Sequence, residues 1–423
     1  MTPETRSGKS RKIGWSLLAA LFSLVFWAGL FEAGARLWLS RRGDPLDRAS
    51  AVLQADSALG WRQKSRFEGD FLGLPLRTNE TGFRTHPASK MEQAQRRILV
   101  LGPSSTFGWG VLQEEAYPAV LEDLIGATRT EVPTTVFNAG QIGYSSWQGL
   151  KLFRSELNRL KPDVIVIAYG VNDVDLHRFF FDSSAPDKVE LAVPKSTPSI
   201  RAGNLLARLA FLRMSTRWAG RTIHGFSCAE PAAPSLRVAL SDLEKNLEEL
   251  SRAGLRSGAQ VILLTTPWEL PALPEPRPGA LLAARRFLES GKEHLAANDA
   301  ERAAADFRAS LDADPHQDET GYLLSAAYAR MGECARSRAV FQDARTAGPR
   351  RITRDIHKVN AAVKRVARRM ALPVSDAASY LQALNAETRA FVDPIHPSAA
   401  GHRAIAADLA RLIRKPRPAV HKG

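Results

Sequence analysis

Ile98-Leu99-Val100-Leu101 constrains the fold more than any other stretch of the 423-residue chain. A strand made of consecutive apolar residues has no face to offer water, so it belongs in a parallel sheet covered by helices on both sides. Gly102 and Pro103 stop the run, as turn residues do. Ser104 then stands at the strand's carboxyl end, the edge where ligands sit in open α/β sheets. Gly108 and Gly110 follow within one turn and permit backbone shapes closed to other residues. A serine in such a turn is by itself only a turn residue. Partners for it have to come from elsewhere in the chain.

The same pattern recurs. Short strands are predicted at Thr134–Phe137, Asp163–Tyr169, Gln260–Thr266 (stopped by Pro267) and Leu372–Ser375 (ending at Asp376). Helical spacing of apolar residues predicts helices at Tyr117–Ile125, Trp147–Leu160, Leu205–Arg213, Leu236–Ala253 and Ser398–Ile413. Strand and helix alternate, which predicts an α/β fold with a parallel, doubly wound sheet.

The amino end is different. Residues 1–12 form a basic tail, and no charge occurs from Ile13 to Phe31. As a helix, that stretch spans most of a hydrocarbon core of about 30 Å, so residues 13–39 are expected to be a transmembrane anchor. A signal peptide is the competing reading, because Ala33-Gly34-Ala35 resembles a cleavage site. The basic tail argues for an amino end inside the cell and an exported body. Residues 40–96 read as a linker and entry segment with turn residues at Leu59-Gly60-Trp61 and Gly82-Phe83-Arg84. Residues 416–423 are a second basic tail. The net charge of +14 is spread over many segments without aromatic interleaving. That excludes a nucleic-acid partner and favours a solvated surface, or attraction to anionic lipid or polysaccharide.

Cys228 and Cys334 have no metal-type spacing, and their pairing in a disulfide is left open. No His/Asp/Glu cluster has metal-ligand spacing, and Gly108-Trp109-Gly110 lacks the Lys-Ser/Thr of a phosphate loop. No metal or cofactor is expected. His177 and His402 read as polar surface or helix residues.

Residues 281–351 break the strand–helix rhythm with an Ala-rich helical run. Phe307 and Phe341 are 34 residues apart, as are Pro315 and Pro349. With Gly291, Ala303, Tyr328 and Ala344 at matching offsets, the stretch resembles two tetratricopeptide repeats. A plain pair of helical hairpins is the alternative. Two repeats cannot bury a core alone, so they are expected to lean on the sheet domain or on a protein partner.

Loops at the carboxyl side of the expected sheet supply Ser104, Gly143, Asn172, and Asp393 with His396. Acyl transfer needs this set. A serine hydroxyl requires a base, for which neutral His396 serves; Asp393 fixes the imidazole tautomer. The Ser104 and Gly143 N–H groups and the Asn172 amide are candidates for an oxyanion hole.

Gly102-Pro-Ser-Ser-Thr106, Asn138-Ala-Gly-Gln-Ile-Gly143, Gly170-Val-Asn-Asp173 and Asp393-Pro-Ile-His396 resemble, in order and spacing, the sequence blocks of the SGNH (GDSL-type) hydrolase family. The resemblance runs over about residues 98–413, apart from the repeat insertion. It implies a flavodoxin-like three-layer α/β/α fold in two parts, 97–280 and 352–415. It also implies a Ser104 nucleophile, an Asp393–His396 pair, and an oxyanion hole from Ser104, Gly143 and Asn172. Pro103 stands where the family usually has Asp. The apolar amino end with Leu59-Gly60-Trp61 and Gly82-Phe83-Arg84 looks like a membrane-anchored bacterial branch of that family. The resulting expectation is a single-pass inner-membrane serine esterase facing the periplasm. Its expected substrates are small O-acyl groups, such as acetyl, on cell-envelope or extracellular polysaccharide. An O-acyltransferase using the same site and an inactive scaffold working through its repeats are the alternatives.

Overall fold

The computed structural model describes residues 15, 20, 22–23, 25–34, 49, 51–127, 132–174, 185–192, 236–269, 279–315, 318–346 and 348–414. After the helical residues 25–34 come two antiparallel hairpins. β1 (Leu53–Asp56) pairs with β2 (Gly60–Gln63), and β3 (Glu68–Phe71) pairs with β4 (Leu74–Arg77). β5 (Arg96–Gly102) follows and leads into the one-turn helix α1 (Ser104–Phe107) and then α2 (Tyr117–Gly126). After β6 (Thr134–Gly140) comes α3 (Ser146–Leu152), then β7 (Val164–Ile167), α4 (Leu240–Arg256) and β8 (Gln260–Leu264).

Four helices interrupt the sheet: α5 (Ala280–Ala296), α6 (Ala300–Ala313), α7 (Asp318–Arg330) and α8 (Cys334–Thr346). The long α9 (Gly348–Arg369) returns to it. β9 (Val374–Ser375), α10 (Ala377–Asn385), the hairpin β10 (Phe391–Asp393) with β11 (His396–Pro397), and α11 (Ala399–Arg414) complete the described residues.

The sheet has the order β6-β5-β7-β8-β9 and every pairing is parallel. Alternation along β5 shows why an unbroken apolar run was needed. Leu99 and Leu101 enter a core shared with Phe137, Ile165, Ile167, Val261 and Leu263, covered by residues of α3, α4 and α9. Ile98 and Val100 point the other way, into a core with Val164, Val166 and Ile262 beneath α2, α10 and α11. Helices thus cover both faces, giving the expected three layers. Full burial of each such side chain is worth about 1.5–3 kcal/mol.

Several expectations change in detail. The predicted helix Trp147–Leu160 is α-helical only to Leu152; a π-turn (Phe153–Leu157) and a 3₁₀ turn (Asn158–Leu160) finish it. The segment read as a linker carries both amino-terminal hairpins, and Trp61, Phe71, Leu76 and Phe83 lie in the main core. α9 begins inside the stretch read as repeats, and Val359, Val363 and Val366 pack beneath the sheet. His402 sits on a helix as expected but is fully buried rather than on the surface, stacked on Tyr117 and accepting its N–H at Nδ1. His177 and the predicted helix Leu205–Arg213 lie outside the described residues.

Helices α5 to α8 form two hairpins around a separate core that includes Leu288, Phe307, Leu324 and Tyr328. Gly291 lets α5 approach α6, since a Cβ there would lie 2.5 Å from the Phe307 ring. Cys334 is disulfide-bonded; Cys228 lies outside the described residues. Residues 25–34 are helical, with Phe26, Trp27, Leu30 and Phe31 exposed. Among the described residues no helix is long and apolar enough to cross a membrane, and most of residues 1–24 and 35–48 lie outside them.

Candidate active site

Ser104 opens α1 directly after β5. Strand pairing ends at Gly102↔Gly140, so the missing N–H of Pro103 leaves no ladder bond unmade. The Pro103 carbonyl accepts the N–H groups of Thr106 and Phe107, both at 3.0 Å. Gly108, at φ +91°, ends the turn. Gly140 is equally constrained, because a side chain there would strike the Phe107 backbone nitrogen. The short helix is therefore pressed onto the end of β6.

Arg84 holds the other end of this turn. The residue is 3% exposed, and its guanidinium donates to the carbonyls of Phe107 (3.3 Å), Gly108 (2.6 Å) and Val111 (2.9 Å). Burial pulls its pKa down to about 10, against the opposing pull of Glu114 and Glu115.

The acid–base pair comes from the other end of the chain. The β10–β11 hairpin places Asp393 opposite His396. Asp393 Oδ1 accepts the N–H groups of Ile395 (3.1 Å) and His396 (3.0 Å). Burial alone would push the Asp393 carboxyl up. The His396 ring and these two N–H groups more than offset it and hold the group below the usual carboxylate range. An ionised carboxylate only accepts hydrogen bonds, so His396 Nδ1 carries the proton and donates to Oδ2 at 2.7 Å and Oδ1 at 2.8 Å. Nε2 is left as an acceptor, and the Ser104 hydroxyl donates to it at 2.7 Å across 292 residues of sequence. Ser104 and His396 are each 7% exposed.

β5 pairs with both β6 and β7, so the loops carrying Gly143 and Asn172 flank the serine. Gly143 takes φ +76°. Asn172 lies in a 3₁₀ turn after Gly170 and donates one Nδ2–H to the Tyr144 carbonyl at 3.0 Å. This bond ties the two loops together and leaves the amide a second N–H. Ser104 N–H, the first of a helix, has no intrahelical acceptor.

The Gly143 loop is braced from behind. Trp61 Nε1 donates to Ile142 O (2.9 Å), Gln63 Nε2 to Gly140 O (3.1 Å) and Arg237 to Gly143 O (2.6 Å). Arg237 also pairs with buried Asp187 at 2.9 Å. Asp173, next to Asn172, accepts from the N–H and hydroxyl of Ser146. Burial, partly countered by Ser146 and Arg237, pushes its pKa up to about 7. Among the described residues no group of three or more His, Cys, Asp or Glu could hold a metal ion.

The structure thus joins Ser104, His396 and Asp393 in one hydrogen-bonded chain and sets Gly143 and Asn172 on adjoining loops. Sequence reasoning missed Arg84, Trp109 and Arg237 as site-building residues. Trp109 stacks on the His396 ring, with centroids 4.9 Å apart and planes at 13°. Gly82-Phe83-Arg84 and Gly108-Trp109-Gly110 had each stood out in the sequence, but neither had an assigned partner.

A parallel α/β sheet with a serine–histidine–aspartate chain at its carboxyl edge defines a class of nucleophilic, acyl-transferring sites. Within that class, residues 100–324, more than half of the sequence, match the model of the GDSL-like Lipase/Acylhydrolase family, and the chain belongs to that family. It is 32% identical over 85 residues to an arylesterase of Vibrio mimicus, covering 20% of this chain and 42% of that one. It is 27% identical over 134 residues to thioesterase 1/protease 1/lysophospholipase L1 of Escherichia coli K12, covering 32% and 59%. The chain spans about half the length of these curated relatives. A lipase/acylhydrolase structure from Enterococcus faecalis aligns with a TM-score of 0.40 at 17% identity, covering 77% of this chain and 100% of that one.

Proposed function

We propose that this protein is a serine hydrolase of carboxylic esters that works through an acyl-enzyme on Ser104. The observation that carries this reading is the 2.7 Å bond from the Ser104 hydroxyl to His396 Nε2, continued at 2.7 Å from Nδ1 to Asp393. His396 takes the serine proton as Oγ attacks the ester carbonyl. The resulting oxyanion is held by the N–H groups of Ser104 and Gly143 and the second amide N–H of Asn172. Such donors are each worth about 2.7–4 kcal/mol of barrier. The imidazolium then protonates the leaving alcohol, and water, activated by the same ring, releases the acid. The intact hydrogen-bonded chain speaks against the inactive-scaffold reading.

The leading substrate class is small O-acyl groups, such as acetyl, on cell-envelope or extracellular polysaccharide. The reading has the body exported and held by residues 13–39. Exposed apolar side chains on helical residues 25–34 support an anchor. The disulfide at Cys334 supports an oxidising compartment, and the net charge of +14 suits an anionic surface. The helix pairs α5–α6 and α7–α8 and the 34-residue spacing of Phe307 and Phe341 support reading this segment as two tetratricopeptide-like units. On this reading they dock a protein partner.

The test is hydrolysis of p-nitrophenyl acetate together with fluorophosphonate labelling of the full chain. Ser104→Ala is expected to abolish labelling and lower kcat by at least about 10⁴-fold; labelled, active Ser104→Ala protein would overturn the assignment. Protease accessibility in intact cells and in spheroplasts tests the export reading. A body reached only after lysis would refute it.

A further inference from the structure

We propose that Trp109 is a positioning residue for this reaction: its indole face, braced by Phe71 from hairpin β3–β4, sets the plane of the His396 ring. The proposal rests on the hydrolase reading of the site. It also explains Gly108-Trp109-Gly110, which neither the triad nor the oxyanion donors use.

Hydrogen bonds hold His396 at its edges, Nδ1 to Asp393 and Nε2 to Ser104. Edge contacts leave the ring free to tilt, and tilting misaligns Nε2 with the serine proton. A flat surface against the ring removes that freedom, and Trp109 supplies one at 13° and 4.9 Å. The indole is itself fixed. Phe71 meets it edge-on at 5.1 Å and 84°, and meets Phe107 of the nucleophile turn at 6.1 Å and 82°. Phe71 therefore touches the serine side and the histidine side of the site at once.

The glycines make the stack possible. Gly108 at φ +91° and Gly110 at φ +75° turn the chain sharply on both sides of the indole. A Cβ at Gly110 would lie 3.1 Å from Val392, the neighbour of Asp393. A π-face also attracts the positive charge that the imidazole carries once it has taken the serine proton. The benefit is then largest in the transition state, and its loss falls on kcat rather than KM.

The experiment uses the full chain and p-nitrophenyl acetate. A stacked pair is worth up to about 1.4 kcal/mol, or about tenfold in rate. Trp109→Leu is expected to lower kcat about tenfold with KM within about twofold, and Trp109→Phe to recover most of the loss. Phe71→Leu is expected to cost about threefold, and the double variant Phe71→Leu/Trp109→Leu to be no slower than Trp109→Leu. Parental kcat in Trp109→Leu, a change confined to KM, or full additivity of the two substitutions would overturn the proposal. If Trp109→Leu does not fold, as judged by circular dichroism, Phe71→Leu carries the test, and an unchanged kcat there overturns it. Ser104→Ala, run in the same assay, separates this outcome from failure of the hydrolase reading: activity surviving in Ser104→Ala removes the triad itself.

Discussion

Asp393 performs two tasks with one carboxylate: it closes its own hairpin through the N–H groups of Ile395 and His396, and it orients the His396 ring. Asp393→Asn would present an amide donor to Nδ1 and favour the wrong tautomer, so kcat for p-nitrophenyl acetate should fall about 10⁴-fold with the fold intact. Because its folded-state pKa is lowered, Asp393 contributes stability that is present above the ordinary carboxylate value and lost as pH falls through the lowered one. Asp173 has the opposite sign. Its pKa is raised to about 7, so its contribution is full below the unfolded value of about 3.9 and is lost as pH rises toward 7. Thermal unfolding from pH 4 to 8 checks this: Asp173→Asn should flatten the decline over that interval, and an unchanged slope would assign it to another group. Ser104, Asp393 and His396 were legible in the sequence as a candidate set, because acyl transfer calls for those residue types together. Arg84, Trp109 and Arg237 were not, because their partners are backbone carbonyls and ring faces that a sequence does not display.

At the scale of elements, the turn after β5 leans on the buried guanidinium of Arg84. Arg84→Ala leaves the carbonyls of Phe107, Gly108 and Val111 without that donor, at a cost of about 3 kcal/mol or more. Arg84→Lys should recover little, because an ammonium cannot reproduce the fork. Urea denaturation followed by circular dichroism measures both. The strands of the sheet were legible because unbroken apolar runs such as Ile98–Leu101 and Val164–Ile167 fit few other structures. The amino-terminal hairpins were not. β3 reads Glu-Gly-Asp-Phe and buries only Phe71, so its value lies in where that one ring lands. The π-turn at Phe153–Leu157 is likewise invisible to a 3.6-residue pattern.

At the scale of the molecule, the chain is a sheet domain interrupted by a helical unit with its own core. Reduction of the disulfide at Cys334 should destabilise the protein by about 2–4 kcal/mol, read as a lower melting temperature in dithiothreitol; an unchanged melt would show that the link contributes nothing to the fold. The interruption has a consequence for engineering. Ser104, Gly143 and Asn172 precede α5, whereas Asp393 and His396 follow α8. On the proposed hydrolase reading, a break at Asn298, between α5 and α6, would yield two inert pieces, one carrying the attacking oxygen and the other its proton acceptor. Mixing them should then regenerate turnover as β9 docks on β8 at Leu263↔Val374 and Leu264↔Ser375, making the pair a two-component reporter of proximity.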